Sequence, residues 1–277
     1  MPLQSMTPML KKAQAEGYAV GMFDCNTLEG ILAVIDAAIE ERSPVLIAPI
    51  MFDRRAAVGL IRELAAQAPV PVGIELDHGR DFASVMECIR AGFTDVMIDA
   101  STKPYEENVA LTSKVVEAAH AAGVGVEAEL GHVGRAAEQA DAASRRAGFT
   151  DPDQAAKFVA ETGVDFLAVA IGSAHGQYIA APELDFDLLD RLCQAVDVPL
   201  VLHGGSGIDD DDFRRAAAGG ICKVNIHTAM ALAAVETMRK SVQDPKVTYG
   251  QISREVYAAI KDVVIHHMRV FGSSGKA

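Results

Sequence analysis

The sequence predicts an α/β fold, and within that class a single (β/α)8 TIM barrel that spans residues 1–277. Eight apolar segments rich in Val and Ile follow one another along the chain, each bounded by Gly, Pro or Asp. Helical patterns lie between them, and near-continuous apolar strands that alternate with helices are typical of a parallel sheet covered on both faces. Eight such units are the number that closes a barrel, and the chain is long enough for one.

The predicted strands are short and are spread over the whole chain. In order they cover 19–25, 44–49, 71–77, 95–100, 123–131, 166–172, 199–205 and 221–227. Apolar residues at three- and four-residue spacing predict helices over 28–42 and 105–123. A doubly wound open sheet is the alternative, but such sheets usually carry a G-x-G-x-x-G motif after the first strand, and this chain has none there. The longest irregular segment, 131–151, is interpreted as a lid, a binding loop or a solvated helical insert.

Composition and charge exclude several classes of protein. The net charge of -13 leaves no basic patch to neutralise phosphates, so we expect no nucleic-acid partner. No apolar run is long enough to cross a membrane, and the N-terminus lacks the order of a signal peptide. None of the four cysteines forms a C-x-x-C pair, which fits a reducing compartment. We therefore expect a cytoplasmic protein.

Polar side chains follow the predicted strands at their C-terminal ends, where the active sites of such barrels lie. His78, His175 and His203 follow strands 3, 6 and 7, and a glycine follows each of them. Three imidazoles with an open fourth position are typical of a catalytic zinc site. A single histidine at a strand end is more often a structural group, so the hypothesis depends on the three together. Acids lie between them at Asp77, Asp99, Glu127 and Glu129.

Other charged residues receive structural interpretations. Lys223 lies in strand 8, and we expect it to point inward and to pair with acids of the barrel, although covalent amine catalysis is conceivable. His266 and His267 lie in the last helix, and we expect them on a solvated or interface face.

The segments that follow strands 7 and 8 predict an anion site. HGGSGIDDDDF (203–213) passes through three glycines into a helix, and NIHTAM (225–230) leads from strand 8 into the next. In this kind of barrel these two loops, with a helix N-terminus, are the usual phosphate site. The alternative is that the glycines serve only tight turns.

The chain resembles the class II, metal-dependent ketose-bisphosphate aldolases of the fructose- and tagatose-bisphosphate type. The similarity extends from about residue 5 to the end. The segments that carry it are IELDHG, GFTDVMIDAS, YEENVALTSKVVEAAH, VEAELG, AVAIGSAHG, LVLHGGSG, CKVNIHT and MRVFGSSGKA.

The resemblance implies a zinc-dependent aldolase. It would reversibly cleave a ketose 1-phosphate or ketose 1,6-bisphosphate into dihydroxyacetone phosphate and an aldehyde, through a metal-stabilised enediolate. His78, His175 and His203 would bind the zinc ion, and Asp77 would be the acid/base. Asp99 and Glu129 would approach a displaced ion or a second divalent or monovalent cation. The substrate-binding residues would be Asn26, Gly176, Gly204, Gly205, Ser206, Asn225, Ile226, His227 and Thr228. The family commonly forms dimers or tetramers, so we expect a homodimer or homotetramer.

The chain departs from the family in the loop after AELG. Many relatives carry there a Glu that removes the C3 proton, but Ala136 and Ala137 occupy that place and the adjacent Glu138 is the candidate base. A catalytically weak sugar-phosphate-binding homologue therefore remains an alternative. A barrel metal hydrolase is a further one, although such enzymes usually place an H-x-H pair on the first strand, which is absent here.

The residues near the distal end of the substrate also differ from those common in the family. Glu75, Ile50 and His227 differ from the residues common there, and QYIAAPE follows AHG where many members have a Lys. These changes weaken a prediction of fructose or tagatose 1,6-bisphosphate as the substrate. The candidate anchors for the distal end are Arg80, Arg135 and Arg269.

Overall fold

The protein is a closed barrel of eight parallel strands, in the order of the chain. The computed structural model describes residues 3–51, 53–134, 146, 148–178 and 182–277. The strands are β1 (Val20–Cys25), β2 (Val45–Pro49), β3 (Val72–Gly79), β4 (Asp95–Ile98), β5 (Gly125–Leu130), β6 (Phe166–Val169), β7 (Leu200–Leu202) and β8 (Ile221–Ile226). The predicted (β/α)8 barrel is confirmed. Strands 6 and 7 end three residues earlier than predicted, because the chain turns there into the loops that form the site.

The helices pack around the barrel and, in one case, across its end. In chain order they are α1 (Met6–Glu16), α2 (Leu28–Glu41), α3 (Arg54–Gln67), α4 (Phe82–Ala91), α5 (Tyr105–Ala121), α6 (Pro152–Thr162), α7 (Phe186–Ala195), α8 (Asp210–Ala218), α9 (Thr228–Ser241) and α10 (Tyr249–Val270). The predicted helices over 28–42 and 105–123 correspond to α2 and α5. None of the helices described combines the length and hydropathy needed to cross a bilayer.

Helix α1 closes the N-terminal end of the barrel. Met6 and Leu10 are fully buried against apolar side chains of the barrel interior. The buried carboxylate of Asp95, at the start of β4, accepts hydrogen bonds from the backbone N–H of Met6 at 2.8 Å and from the hydroxyl of Ser5 at 2.7 Å. This end is therefore filled, and the opposite, C-terminal end is the open one.

The two histidines of α10 have different surroundings. His266 is exposed and lies 3.0 Å from the carboxylate of Asp210. His267 is buried, and its ring contacts those of Phe213 and Phe271 at centroid distances of 5.8 and 5.6 Å. The expectation of a solvated or interface face is therefore wrong for His267. Successive residues of a helix point about 100° apart, so one of the pair turns toward the barrel.

Candidate active site

A cavity of 260 Å³ lies at the C-terminal ends of the strands. Most residues predicted for the site line it, namely Asp77, His78, His175, Gly176, Gly204, Gly205, Ser206, Asn225, His227 and Thr228. His203 is fully buried at the end of β7. Ile226 is buried within β8, and the amide of Asn26 lies 3.4 Å from Nε2 of His227. Glu138, the candidate base, lies outside the described residues.

A distortion of β3 brings two consecutive side chains to this cavity. Successive residues of a regular strand point to opposite faces, yet Asp77 and His78 both line it. The register between β3 and β4 shifts between Leu76 and Gly79, and His78 has φ 46°, in the left-handed region that non-glycine residues rarely adopt. A Cβ on Gly79 would lie 2.3 Å from the carbonyl oxygen of Met97. Glycine is required there because the two strands approach closely.

The three predicted histidines converge on one point. Nε2 of His78 lies 3.1 Å from Nε2 of His175 and 3.1 Å from Nδ1 of His203. All three ligand atoms lie within 4.8 Å of one another. Nitrogens bound at 2.0–2.1 Å to a tetrahedral ion are about 3.3 Å apart. The spacing therefore fits a divalent cation held by three imidazoles.

The outer nitrogen of each imidazole is held by an acceptor. The pairs are His78 Nδ1 with Asp99 Oδ2 at 2.8 Å, His175 Nδ1 with the Val133 carbonyl oxygen at 2.9 Å, and His203 Nε2 with Glu127 Oε1 at 2.8 Å. A neutral imidazole carries one N–H, and an acceptor fixes that proton on the nitrogen it faces. Lone pairs of the three inner nitrogens are thereby directed at a common point, as metal coordination requires.

The charges around the histidines favour a cation at this point. Burial alone would lower the pKa of His78, but the charge of Asp77 and the hydrogen bond with Asp99 raise that pKa to about 10. Burial, with the charges of His203 and His78, lowers the pKa of His175 to about 4. The carboxylates around His78 thus favour a positive charge at this point, which a proton or a metal ion can supply.

A second group of possible metal ligands shares His78 with the first and consists of His78, Asp99 and Glu129. Both oxygens of Asp99 already have partners, because Oδ2 binds His78 and Oδ1 accepts from the hydroxyl of Ser101 at 2.8 Å. Glu129 accepts from the N–H of Val133 through Oε1, while its buried Oε2 has no partner among the described residues. A free, buried carboxylate oxygen is a suitable ligand for a cation that moves or for a second one.

Glu127, which binds His203, belongs to a network of buried charges. Lys223 is fully buried, and its Nζ atom lies 2.6 Å from Oε2 of Glu127 and in hydrogen-bond contact with Glu75. The prediction that Lys223 pairs with acids of the barrel is confirmed. Burial would raise the pKa of Glu127, but the ammonium of Lys223 and the hydrogen bond from His203 lower it to about 2. Glu127 thus stays ionised and can orient the imidazole of His203.

Two loops meet beside the three histidines, at the place predicted for an anion. Helix α9 begins at Thr228, and the side chain of its N-cap residue, His227, makes no capping hydrogen bond. The first N–H groups of a helix are unpaired within it and attract anions. The hydroxyl of Ser206 accepts from the N–H of Ala229 at 3.1 Å, which ties the loop after β7 to this helix.

The glycines of the loop after β7 have distinct structural roles. Gly204 has φ 68°, and a Cβ there would lie 2.3 Å from the carbonyl oxygen of Ala174. The N–H of Gly205 donates to the carbonyl of Asn225 at 3.2 Å and is therefore engaged within the protein. A phosphate in this cavity would meet the helix N-terminus and the side chain of Ser206 rather than the N–H of Gly205.

Two residues of the site were missed by sequence reasoning. Asp24 lines the cavity from β1, and its buried Oδ1 has no partner among the described residues. Burial and the charge of Asp77 raise its pKa well above the usual range. The only signal was an acid within an otherwise apolar strand. Tyr178 had no signal, because its hydroxyl joins two loops: it accepts from the N–H of Ala174 at 2.6 Å and donates to the carbonyl of Gly204 at 2.8 Å.

Comparisons with known proteins agree with this geometry. The family model described as fructose-bisphosphate aldolase class-II matches residues 4–276. The chain is 42% identical to the probable fructose-bisphosphate aldolase of Bacillus subtilis, with 100% of both chains covered. It is 43% identical to the fructose-bisphosphate aldolase of Geobacillus stearothermophilus, over 100% of this chain and 99% of that one.

Two solved structures of aldolases are also similar to this chain. The YdjI aldolase from Escherichia coli K12 matches with a TM-score of 0.88 and 36% identity, over 99% of each chain. A putative fructose-1,6-biphosphate aldolase from Coccidioides immitis matches with a TM-score of 0.87 and 31% identity, over 97% of this chain and 96% of that one.

Proposed function

This chain belongs to the class II fructose-bisphosphate aldolase family, and we propose that it reversibly cleaves a ketose 1-phosphate or ketose 1,6-bisphosphate into dihydroxyacetone phosphate and an aldehyde. The observation that carries the proposal is the convergence of three imidazole nitrogens in a barrel mouth that also holds Asp77. A helix N-terminus in the same cavity offers a place for the phosphate.

The metal site is proposed to hold one zinc ion. His78, His175 and His203 would bind it through their inner nitrogens, since neutral imidazole is a preferred zinc ligand and three such ligands leave a position open. When bound, the ion supplies a Lewis acid for the carbonyl oxygen of the substrate. Asp99 and Glu129 would accept a displaced or second cation beside His78.

Asp77 is the proposed acid/base at the C4 oxygen. In cleavage its carboxylate takes the proton of the C4 hydroxyl, the C3–C4 bond breaks, and the electron pair stays on the dihydroxyacetone phosphate fragment until C3 takes a proton. In condensation the same carboxyl returns its proton to the aldehyde oxygen. The amide of Asn225 donates to Oδ1 of Asp77 at 3.0 Å and so orients the carboxylate. Glu138 is the proposed group that moves the C3 proton.

The remaining predicted residues are proposed to bind dihydroxyacetone phosphate. Ser206 and Thr228 would contact the phosphate at the start of α9, with Gly204 and Gly176 allowing close approach of the backbone. Asn26 and His227 lie 3.4 Å apart beside the start of α9, where their amide and imidazole would contact the substrate. Gly205, Asn225 and Ile226 would shape the cavity wall.

Two measurements test this function. Release of dihydroxyacetone phosphate from ketose 1-phosphates and 1,6-bisphosphates should be abolished by a chelator and restored by zinc. An Asp77→Asn variant should lose cleavage by about 10²–10⁴-fold, while still exchanging the C3 proton of dihydroxyacetone phosphate with solvent. Asp187→Asn, which changes an exposed acid, is the matched control. Binding of sugar phosphate without turnover, or substrate trapped on a lysine by borohydride, would contradict the proposal.

A further inference from the structure

The side chain of Met97 contacts the distorted part of β3. Met97 lies on β4, is fully buried and belongs to the apolar cluster of the barrel interior. Its sulfur accepts a hydrogen bond from the backbone N–H of His78 at 3.4 Å. A thioether is a weak acceptor, and a methionine in a core usually serves to fill space. The polar contact to its sulfur therefore sets Met97 apart from an ordinary core methionine.

Met97 is the residue that faces the distortion. Two regular pairs of β3 and β4 flank it, namely Leu76 with Val96 and Gly79 with Ile98. Between these pairs, Asp77 and His78 stand opposite Met97 alone, which is the two-against-one arrangement of a β-bulge. A bulge interrupts the regular ladder of backbone hydrogen bonds. At that interruption the sulfur of Met97 provides an acceptor for the N–H of His78.

The conformation of this bulge is the one that the proposed chemistry requires. His78 has φ 46°, which a non-glycine residue adopts only at a cost in free energy. The bulge brings the carboxylate of Asp77 and the imidazole of His78 to the same cavity. In a regular strand these two consecutive side chains would point to opposite faces. A contact that stabilises the bulge therefore stabilises the placement of the proposed acid and of a proposed metal ligand.

We propose that Met97 is a positioning residue for the reaction. Its sulfur holds the backbone of His78 in the left-handed conformation, which directs His78 to the metal site and Asp77 to the substrate. This inference rests on the proposed aldolase function, because Met97 acts through two residues of that site. With an apolar side chain at position 97, the N–H of His78 would face a group that cannot accept a hydrogen bond, and the bulge would be destabilised. Nε2 of His78 would then meet the nitrogens of His175 and His203 in a smaller fraction of the molecules.

The test compares the wild type with Met97→Leu, which conserves the volume of the side chain and removes the sulfur. We expect the affinity for zinc, measured by competition with a coloured chelator, to fall about tenfold. The kcat for ketose cleavage should fall by a similar factor, whereas the KM should change little, because the residues proposed to bind the phosphate follow β7 and β8. In the metal-free protein, exchange of the His78 amide proton, followed by NMR, should become about tenfold faster.

Met22→Leu is the matched control. Met22 is fully buried in the same interior cluster, on β1, and its sulfur accepts no hydrogen bond from the residues that the structure describes. Both changes conserve volume, so both variants should unfold in urea as folded proteins do. Met22→Leu should leave the zinc affinity, kcat and exchange of the His78 amide unchanged.

Two results would overturn the proposal. Equal losses in both variants would show that the effects come from packing in the barrel interior. Wild-type zinc affinity and wild-type exchange of the His78 amide in Met97→Leu would show that the sulfur does not hold the bulge. A wild type that neither binds zinc nor cleaves ketose phosphates would instead defeat the proposed function, and the exchange of the His78 amide would still test the role of Met97.

A further substitution isolates the sulfur atom. Norleucine has the shape of methionine with CH2 in place of sulfur, and it can replace the 10 methionines of the chain during expression. It should lower the zinc affinity of the wild type about tenfold and that of Met97→Leu no further. An equal decrease in both proteins would assign the effect to other methionines and would contradict the proposal.

Discussion

Glu127 accepts a hydrogen bond from His203 at 2.8 Å, and both side chains are completely buried. The bond fixes the tautomer of a proposed metal ligand from the side opposite the metal. It also connects the metal site to Lys223, which holds Glu127 ionised. A carboxylate placed behind a ligand in this way raises the basicity of the imidazole and fixes the direction of its lone pair.

Replacing this carboxylate should weaken metal binding. Glu127→Gln keeps the size of the side chain but removes its charge, and we expect the affinity for zinc to fall about 10–100-fold. Competition with a coloured chelator measures the affinity. Glu117→Gln, at an exposed position of α5, should leave the affinity unchanged. An equal affinity in both variants would show that Glu127 does not act on the metal through His203.

Removing one hydroxyl should loosen the two loops that form the substrate cavity. Tyr178→Phe loses the hydrogen bonds to Ala174 and Gly204, and we expect the free energy of unfolding to fall by about 1–3 kcal/mol. The KM for the ketose substrate should rise more than kcat falls, because the loop after β7 carries residues of the proposed phosphate site. Urea unfolding and steady-state kinetics are the measurements. Tyr257→Phe removes an exposed hydrogen bond to Asp36 and should change neither quantity appreciably.

The candidate base in the loop after β5 is tested by proton exchange. Glu138→Gln should slow exchange of the C3 proton of dihydroxyacetone phosphate by about 10²–10⁴-fold, because proton transfer at C3 is the step assigned to this residue. Gln139→Ala changes the next residue and serves as the control. Full turnover in Glu138→Gln would show that Glu138 does not transfer the C3 proton.

Burial of His267 should make stability depend on pH. Burial lowers the pKa of His267 to about 4, from 6.5 in the unfolded chain. Between these values the unfolded chain binds a proton that the folded chain does not, so stability is lost as pH falls below 6.5, by about 3 kcal/mol in total. When the pH falls from 7.5 to 5, we expect the free energy of unfolding of His267→Phe to decrease by about 2 kcal/mol less than that of the wild type.

Urea unfolding at the two pH values measures this difference. His266→Phe, at the exposed neighbour, should retain the pH dependence of the wild type. The same dependence in His267→Phe would mean that His267 does not titrate in the unfolding transition.

The sequence by itself determined the barrel and most of the mouth. Apolar segments bounded by turn residues identified all eight strands, because a strand buried on both faces must be apolar along its length. His78, His175 and His203 could be assigned to one site, since parallel strands of a barrel all end on the same side. The inward direction of Lys223 followed from the two-residue alternation of β8.

Only the tertiary structure decided how those side chains act. The left-handed backbone of His78 depends on how β3 pairs with β4, and it reverses the alternation that a regular strand would show. Tyr178 joins loops whose contact forms only in the closed barrel. An apolar groove is lined by residues from the end of β1 and from α10, which are more than 200 residues apart in the sequence. Periodicity reports on local burial, whereas these features arise from contacts between distant segments, and such contacts exist only once the barrel has closed.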